Sequence, residues 1–438
     1  MIKENLEVKR TTPTCLFAAE ASELAKPTIQ VVQNIARRTL VALFLAVQLL
    51  ILATTTNAQP YQVINTQSSV VGNNLSRTVT TIQEGSNQLD RFTFTQVKKP
   101  IPPQSLKGIL MLLPPLGSGF QNYEATDTGN YDDSFVAYFA EKDILVAGYS
   151  TRQVGLTAGQ CESGAIDCSP MANWGIETMI DDVKYIRDEL ALAYPGLKIV
   201  TAGLSMGSIG SMASINRNPA DYAGAILIEG TLYDEDPAVR AVNANFCSSF
   251  EGMLAGGIYY EGQNGPAFKA LNQLAQVAPN TPTVFPGFPP GFTNRQAFIL
   301  AMTATQVSPV SPRPGYFFTA GSVAEDRLFF ANESIVHANV ATFIDYTPIR
   351  MLRDLNCGLA GETTFTSNLG SFTGPVLMFA AGHGFGSAML DTADLMTSAD
   401  VKVQLNEEFG HVDFMFSTNH RKELEKRILK WLKKEPFK

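Results

Sequence analysis

The sequence is poor in the side chains that usually bind metal ions. Four histidines lie scattered among 438 residues, and the five cysteines form no Cys-x-x-Cys pair. Structural zinc sites need several such ligands, which commonly come in closely spaced pairs. The sequence therefore predicts no metal site.

Long runs of like charge are also missing. The chain carries 33 basic and 41 acidic residues, which gives a formal net charge of -8. Nucleic acids and anionic membrane surfaces select basic patches, so we expect neither to be a main partner. A small neutral or cationic substrate is compatible with this charge. Hydrophobic residues make up 45% of the sequence, which is enough for a full core.

No apolar run reaches the roughly 20 residues that a membrane-spanning helix needs. The N-terminal run covers residues 40–53 and is interrupted by Gln48. Arg37 and Arg38 precede it, and small residues ending at Ala58 follow it, an order typical of a secretory signal peptide. We therefore expect residues 1–58 to be a signal peptide cleaved near Ala58, and the protein to be secreted or periplasmic. An uncleaved signal that anchors the protein in a membrane is the alternative.

An even number of cysteines in an exported protein favours disulfide bonds. Removal of residues 1–58 leaves Cys161, Cys168, Cys247 and Cys357, which can pair in three ways. We favour Cys161 with Cys168, which closes a short loop rich in glycine and serine, and Cys247 with Cys357.

Short apolar segments bounded by glycine or proline recur along the chain. They are residues 109–113, 144–148, 199–202, 225–228 and 376–379. Such segments are typical of strands buried on both faces of a parallel sheet. Helical spacing over residues 174–194 places a helix between two of them, and residues 401–405 alternate as an edge strand does. We predict an α/β fold, preceded by an antiparallel hairpin over residues 77–82 and 91–97.

Residues 231–372 break this alternation. They contain turns rich in proline and glycine and only scattered helical patches. Because segments inserted after a sheet strand commonly shape a binding site, we expect a cap or lid here. The predicted core then consists of two parts, residues 59–230 and 373–438.

The sequence Gly-Leu-Ser-Met-Gly at residues 203–207 follows an apolar strand and begins a helix rich in small residues. In this context the glycines permit a strained strand-to-helix turn that exposes the serine hydroxyl. A serine hydroxyl needs a base to become a nucleophile. His411, just beyond the last predicted strand, is our candidate base for Ser205, and His383 is its rival.

This strand-turn-helix motif, the late Gly-His-x-Asp at residues 410–413 and the order of the strands resemble the α/β-hydrolase superfamily, from about residue 77 onward and outside the insertion. The resemblance implies a mostly parallel sheet flanked by helices, with a cap after the sixth strand. It also implies an esterase-like or lipase-like serine hydrolase that acts through an acyl-enzyme and needs no cofactor, but it is poor at identifying the substrate. We expect an ester hydrolase that acts on a small or lipid-like carboxylic ester. The alternatives are a serine peptidase on the same fold and a non-catalytic binding protein on a degenerate scaffold.

Two positions depart from the family pattern. The family usually has His-Gly after its third strand, where this sequence has Pro114-Pro115-Leu116-Gly117. Proline has no N–H group to donate. The groups expected to bind an oxyanion are therefore the backbone N–H groups of Met206 and of Leu116 or Gly117.

The second departure concerns the acid that orients the histidine. The family places it in a turn after the seventh strand, but residues 380–386 contain no carboxylate. An acid from a neighbouring loop can serve if it reaches the same imidazole nitrogen. We expect Asp391 to take this role. Glu229, at the end of the sixth strand, is the main alternative, and Asp394 and Asp413 are weaker ones.

The export prediction can be tested by mass. We expect the mature protein to begin near Gln59 and to contain no free thiol, because its four cysteines are paired. Intact-mass measurement of the exported protein, alkylated without reduction, should show this start and no added alkyl group. An alkyl group on each of the four cysteines in the native protein would contradict the disulfides.

Overall fold

The computed structural model describes residues 61–303 and 318–438. The predicted signal peptide and its cleavage site at Ala58 lie outside the described residues. Within the described part of the chain, no helix is both long enough and apolar enough to cross a membrane.

Strands and helices alternate through most of the described chain. The strands are β1 (Tyr61–Val71), β2 (Leu75–Glu84), β3 (Arg91–Lys98), β4 (Gly108–Leu113), β5 (Ile144–Ser150), β6 (Ile199–Leu204), β7 (Gly224–Ile228), β8 (Tyr260–Glu261), β9 (Gly321–Ser322), β10 (Arg327–Leu328), β11 (Thr347–Pro348), β12 (Val376–Ala381) and β13 (Val401–Asn406). The helices are α1 (Phe135–Ala140), α2 (Ile176–Ala193), α3 (Met206–Arg217), α4 (Pro237–Ala255), α5 (Asn264–Val277), α6 (Asn294–Thr303), α7 (Glu333–Ala341), α8 (Ile349–Leu359), α9 (Gly386–Leu395), α10 (Asp413–Phe416) and α11 (Lys426–Lys434).

Nine strands form one sheet in the order β1-β2-β3-β5-β4-β6-β7-β12-β13. The pairs β1–β2, β2–β3 and β3–β5 are antiparallel, and every pair from β5 to β13 is parallel. The predicted hairpin and the predicted mostly parallel sheet are therefore confirmed. Two short antiparallel sheets, each of two strands, pair β8 with β11 and β9 with β10.

No sequence pattern predicts β1. This strand lies at the end of the sheet and pairs with β2. Its residues are exposed along almost the whole length. Because neither face is buried, the strand needs no alternation of apolar and polar residues, which is the signal that identifies half-buried strands.

The parallel strands are buried on both faces, as their apolar sequences predict. Alternate residues of a strand point to opposite sides of the sheet. In β4, Leu110 and Leu112 pack in the layer of α1 and α11, whereas Ile109, Met111 and Leu113 pack in the layer of α2 and α3. Helices thus cover both faces, and the carboxyl ends of β4, β6, β7 and β12 meet along one edge.

A buried ionic cluster joins the antiparallel strands to the parallel part. The guanidinium of Arg152, just after β5, binds the two carboxylate oxygens of Asp182 on α2 at 2.5 and 3.0 Å. It also binds Asp90 at 2.8 Å and Glu84 at 2.6 Å, at the two ends of the β2–β3 connection. Since a buried charge that loses its partner is strongly destabilising, this cluster fixes the connection against α2.

Between β7 and β12 the chain leaves the large sheet for helices α4 to α8, in the region predicted as an insertion. Both predicted disulfides are present. Cys247 on α4 and Cys357 on α8 have their Cα atoms 4.8 Å apart, and the Cα atoms of Cys161 and Cys168 are 5.6 Å apart. The boundaries at residues 231 and 372, and the role of this segment as a cap, stay predictions.

Candidate active site

Ser205 lies at the turn between β6 and α3, at the carboxyl edge of the sheet. Its backbone φ is 58° and its ψ is -119°, a conformation that residues other than glycine rarely adopt. Strained residues of this kind concentrate at functional sites. The turn is held by the Ser205 N–H group, which donates to the carbonyl of Ile228 on β7 at 2.8 Å.

Two glycines permit this turn, because the chain passes very close to itself there. A Cβ atom on Gly203 would lie 2.2 Å from the carbonyl carbon of Gly207. A Cβ atom on Gly207 would lie 1.9 Å from the carbonyl oxygen of Leu113, at the end of β4. Neither separation is sterically allowed, so the turn from β6 into α3 requires Gly203, and packing of α3 against β4 requires Gly207.

His411 lies in the loop between β13 and α10, and only 4% of its surface is exposed. Its Nε2 atom is 2.8 Å from the Oγ atom of Ser205. The rings of Phe385 and Phe318 meet the imidazole edge-on, with centroids 5.3 and 6.0 Å away. The rival His383 lies in the turn after β12, where its backbone N–H binds the loop that carries His411. The structure thus brings together the two residues that the sequence singles out.

The carboxylate of Glu229 lies on the other side of the imidazole. Glu229 follows β7, is fully buried, and has its Oε2 atom 3.2 Å from the Nδ1 atom of His411. It also accepts hydrogen bonds from the backbone N–H groups of Ala381, at 2.5 Å, and Phe385, at 2.8 Å. These donors offset the cost of burying a carboxylate. Ser205, His411 and Glu229 therefore form one continuous hydrogen-bonded chain.

Asp391, the acid that we expected beside His411, lies elsewhere. It is on α9, and its Oδ2 atom accepts a hydrogen bond from the Glu235 N–H at 2.9 Å. The end of β12 and the turn after it, where the family carries its acid, here donate N–H groups to a carboxylate that directly follows the neighbouring strand β7. The carboxylate beside His411 is therefore that of Glu229 and not that of Asp391. A signal for it exists in the sequence, since Glu229 directly follows an apolar strand that neighbours the strand leading to Ser205.

Asp413, two residues after His411, is fully buried but binds other groups. It accepts hydrogen bonds from the hydroxyl of Thr319 and from the backbone N–H groups of Ala320, at 2.9 Å, and Gly410, at 2.7 Å. Burial raises the pKa of Asp413 to about 6. Its carboxylate thus ties the loop that carries His411 to residues 319–320 of the insertion.

The backbone N–H groups expected to bind an oxyanion lie in two turns. Met206 is the first residue of α3, where N–H groups lack partners within the helix. Leu116 and Gly117 lie in the turn after β4, the strand next to β6. The carbonyl of Gly117 accepts a hydrogen bond from the Ile344 N–H at 2.8 Å, which ties this turn to the insertion. The expected groups are therefore in adjacent turns at one edge of the sheet.

One group of described side chains is close enough to share a metal ion: Cys247, Glu251 and Cys357. The two cysteines form a disulfide, so their sulfur atoms are not the thiolates that bind metals. We therefore place no metal there.

No protein-family profile matches the sequence, and no curated protein is detectably similar to it. Solved structures do share its fold. One is a protein from Sulfolobus solfataricus provisionally assigned as a lipase, with a TM-score of 0.58 at 18% identity over 86% of this chain and 99% of its own. Another is a thermostable carboxyl esterase from Bacillus coagulans, with a TM-score of 0.50 at 16% identity over 85% and 99%. At these identities the likeness concerns the fold alone, and it confirms the α/β-hydrolase fold predicted from the sequence.

The packing of the Ser205 turn predicts that Gly207→Ala is destabilising. The added Cβ would collide with the backbone of β4, and overpacking of this kind typically costs about 1–3 kcal/mol. Urea denaturation should show a loss of that size. Gly252→Ala in α4 is the matched control, because a Cβ there meets nothing within 4 Å and alanine favours helix. Equal stability of the two variants would contradict the packing argument.

Proposed function

We propose that this chain is a serine hydrolase that cleaves a carboxylic ester, with Ser205 as nucleophile, His411 as general base and Glu229 as the acid that orients the histidine. The observation that carries the proposal is the 2.8 Å contact between Ser205 Oγ and His411 Nε2 at a strained strand-to-helix turn. A merely structural serine needs neither the strain nor the histidine. The fold, shared with proteins named as a lipase and a carboxyl esterase, supports the proposal by analogy.

The proposed reaction runs through an acyl-enzyme. The Nε2 atom of His411 takes the hydroxyl proton of Ser205 as the oxygen attacks the acyl carbonyl. The N–H groups of Met206 and of Leu116 or Gly117 stabilise the oxyanion. The imidazolium gives its proton to the leaving alcohol, and a water molecule, deprotonated by the same nitrogen, then releases the acid from the serine.

In this scheme Glu229 acts on His411 and not on the substrate. Its carboxylate accepts the Nδ1–H of the imidazole, which leaves Nε2 free of a proton and facing Ser205. The same negative charge stabilises the imidazolium that forms during the reaction. The reading of the chain as a degenerate binding scaffold loses its main support, because a carboxylate does face His411.

The substrate we propose is a small or lipid-like ester. Aromatic rings of Phe318 and Phe385 stand beside His411. Other partly buried aromatic residues of the insertion, Phe285, Phe288, Phe330 and Phe343, pack against the core layer that includes Phe409 and Phe414. Ligand pockets for apolar groups are lined mainly by such side chains. An ester with an apolar acyl or alcohol group therefore fits these surroundings better than a charged peptide.

We also propose that residues 231–372 act as the cap of this site. The N–H of Ile344 binds the carbonyl of Gly117, which attaches the segment to the turn after β4. The N–H of Val412 binds the carbonyl of Phe318 at 2.9 Å, which attaches the segment to the loop that carries His411. The two disulfides are in keeping with the proposed export, since disulfides persist in oxidising compartments.

The first test of the proposed reaction removes the nucleophile. The purified mature protein should hydrolyse p-nitrophenyl esters faster than aminoacyl anilides, and a fluorophosphonate should label Ser205. Ser205→Ala should abolish both activities while the protein stays folded, because the attacking oxygen is gone. Ser214→Ala, a buried serine further along α3, is the control and should keep both. Labelling that survives in Ser205→Ala would contradict the assignment.

The second test distinguishes the two candidate acids. Glu229→Gln should lower kcat by roughly ten-thousand-fold, the loss that the equivalent amide replacement causes in a serine protease. Asp391→Asn should leave kcat nearly unchanged, because an amide oxygen can still accept the bond from Glu235. Both variants should be compared on one ester, with melting temperatures as a check on folding. If Asp391→Asn is the variant that loses turnover, the assignment of Glu229 is wrong.

A further inference from the structure

The parallel ladder between β4 and β6 ends directly beneath Ser205. The last paired residues are Leu113 on β4 and Gly203 on β6. The ladder begins with the Ile109 N–H donating to the carbonyl of Lys198 at 2.9 Å, and in a parallel pair this pattern repeats every two residues. Continued to the end of β6, the pattern would make the Leu204 N–H donate directly to the carbonyl of Leu113.

A tyrosine hydroxyl binds both groups of that last pair. The Leu204 N–H donates to the hydroxyl oxygen of Tyr123 at 2.9 Å, and the hydroxyl donates to the carbonyl of Leu113 at 2.7 Å. Two hydrogen bonds in series therefore join Leu204 to Leu113 through the hydroxyl. One side chain thus ties the two strands together at the point where they leave the sheet.

Both chains lead at once to groups of the proposed reaction. After Leu113, β4 continues into Pro114 and Pro115, which have no N–H group to extend the ladder, and then into the turn with Leu116 and Gly117. After Leu204, β6 continues into Ser205 and Met206. The hydroxyl thus stands at the base of the gap between the two turns proposed to supply the oxyanion donors.

The ring of Tyr123 is firmly held. Tyr123 ends the 3₁₀ turn Phe120–Tyr123 and is only 1% exposed. Its ring packs against those of Phe135 and Phe120, with centroids 5.6 and 6.5 Å away. A rigid ring whose hydroxyl binds two backbone groups can set a distance, whereas an exposed tyrosine could not.

We propose that Tyr123 is a positioning residue, whose hydroxyl sets the separation between the turn after β4 and the Ser205 turn. The inference rests on the proposed ester hydrolysis, because that gap must admit the acyl carbonyl between Ser205 and the oxyanion donors. Tyr123 itself touches neither substrate nor reacting atoms. Loss of the hydroxyl removes both of these hydrogen bonds and lets the two turns shift relative to each other. Misplacement of reacting groups by about 1 Å can cost about a hundredfold in rate.

The test is Tyr123→Phe in the mature protein. We expect kcat on a p-nitrophenyl ester to fall by about 10- to 100-fold, with KM changed little. The rate of fluorophosphonate labelling should fall by a similar factor, because it depends on the same geometry. The matched control is Tyr149→Phe, another buried tyrosine, whose hydroxyl binds Asp182 at 3.0 Å. That variant loses a comparable hydrogen bond and should keep the kcat of the unaltered protein.

The outcomes separate this inference from the proposed function. If the unaltered protein neither cleaves esters nor reacts with the fluorophosphonate, the proposed function fails. If the unaltered protein does both and Tyr123→Phe keeps its kcat and labelling rate, only the role of Tyr123 is wrong. A loss of kcat of the same size in Tyr149→Phe would also overturn the role of Tyr123. The loss of kcat in both variants would then follow from general loosening of the core.

A second variant covers the case in which Tyr123→Phe does not fold. Replacement of Tyr123 by p-aminophenylalanine keeps the size of the side chain and the donor to Leu113, but its nitrogen accepts the Leu204 N–H more weakly than oxygen does. We expect a stable protein whose kcat is several-fold lower. A kcat equal to that of the unaltered protein, at an unchanged melting temperature, would contradict the inference.

Discussion

Burial of the Glu229 carboxylate constrains the whole edge of the sheet at which Ser205 lies. A carboxylate without access to water must be matched by donors, and here they are the backbone N–H groups of Ala381 and Phe385 and the imidazole of His411. The turn after β12 has to curl around the carboxylate to bring the Phe385 N–H to it, while the Ala381 N–H comes from the end of the strand itself. Gly384 is needed in that turn, because a Cβ atom there would lie 1.9 Å from the Glu229 Oε2 atom. The orientation of His411 therefore depends on β7 as much as on its own loop.

The insertion is tied to the same edge by polar groups of the main chain. Ile344 binds the turn after β4. Phe318 binds the loop of His411 directly, and Ala320 binds it through the buried carboxylate of Asp413. Hydrogen bonds to a buried charge are stronger than those between neutral groups. In the proposed enzyme, a substitution deep in the insertion can therefore disturb the histidine loop without contacting a substrate.

Local patterns account for the parts of this protein that can be predicted from the sequence. The buried strands, the helix α2 and the turn at Ser205 each depend on residues within a short stretch, and each has a recognisable spacing or composition. The family's chain order, in which the histidine follows the serine late in the sequence, then favours His411 over the other histidines as the candidate base for Ser205. These predictions need no knowledge of which segments meet in space.

The carboxylate that lies beside His411 could not be chosen in the same way. Glu229 and His411 are separated by 182 positions, and their contact exists only because β7 and β12 are neighbours in the sheet. The family pattern points to the turn after β12, so Asp391 ranks first on sequence alone. Local patterns are equally unable to predict strand β1 or the position of the Tyr123 hydroxyl, since the strand has no buried face and the hydroxyl binds two segments that are distant in sequence.

The place of β12 in the sheet also affects how the protein is made. Strand β7 ends at Ile228, but its neighbour β12 begins only at Val376, after the whole insertion has been synthesised. At about 5–20 residues per second, a ribosome needs on the order of ten seconds to deliver that neighbour. During this time the apolar edge of β7 is an open template for unwanted pairing. Chaperone demand during translation should therefore be highest while the insertion emerges, and it should fall when β12 pairs with β7.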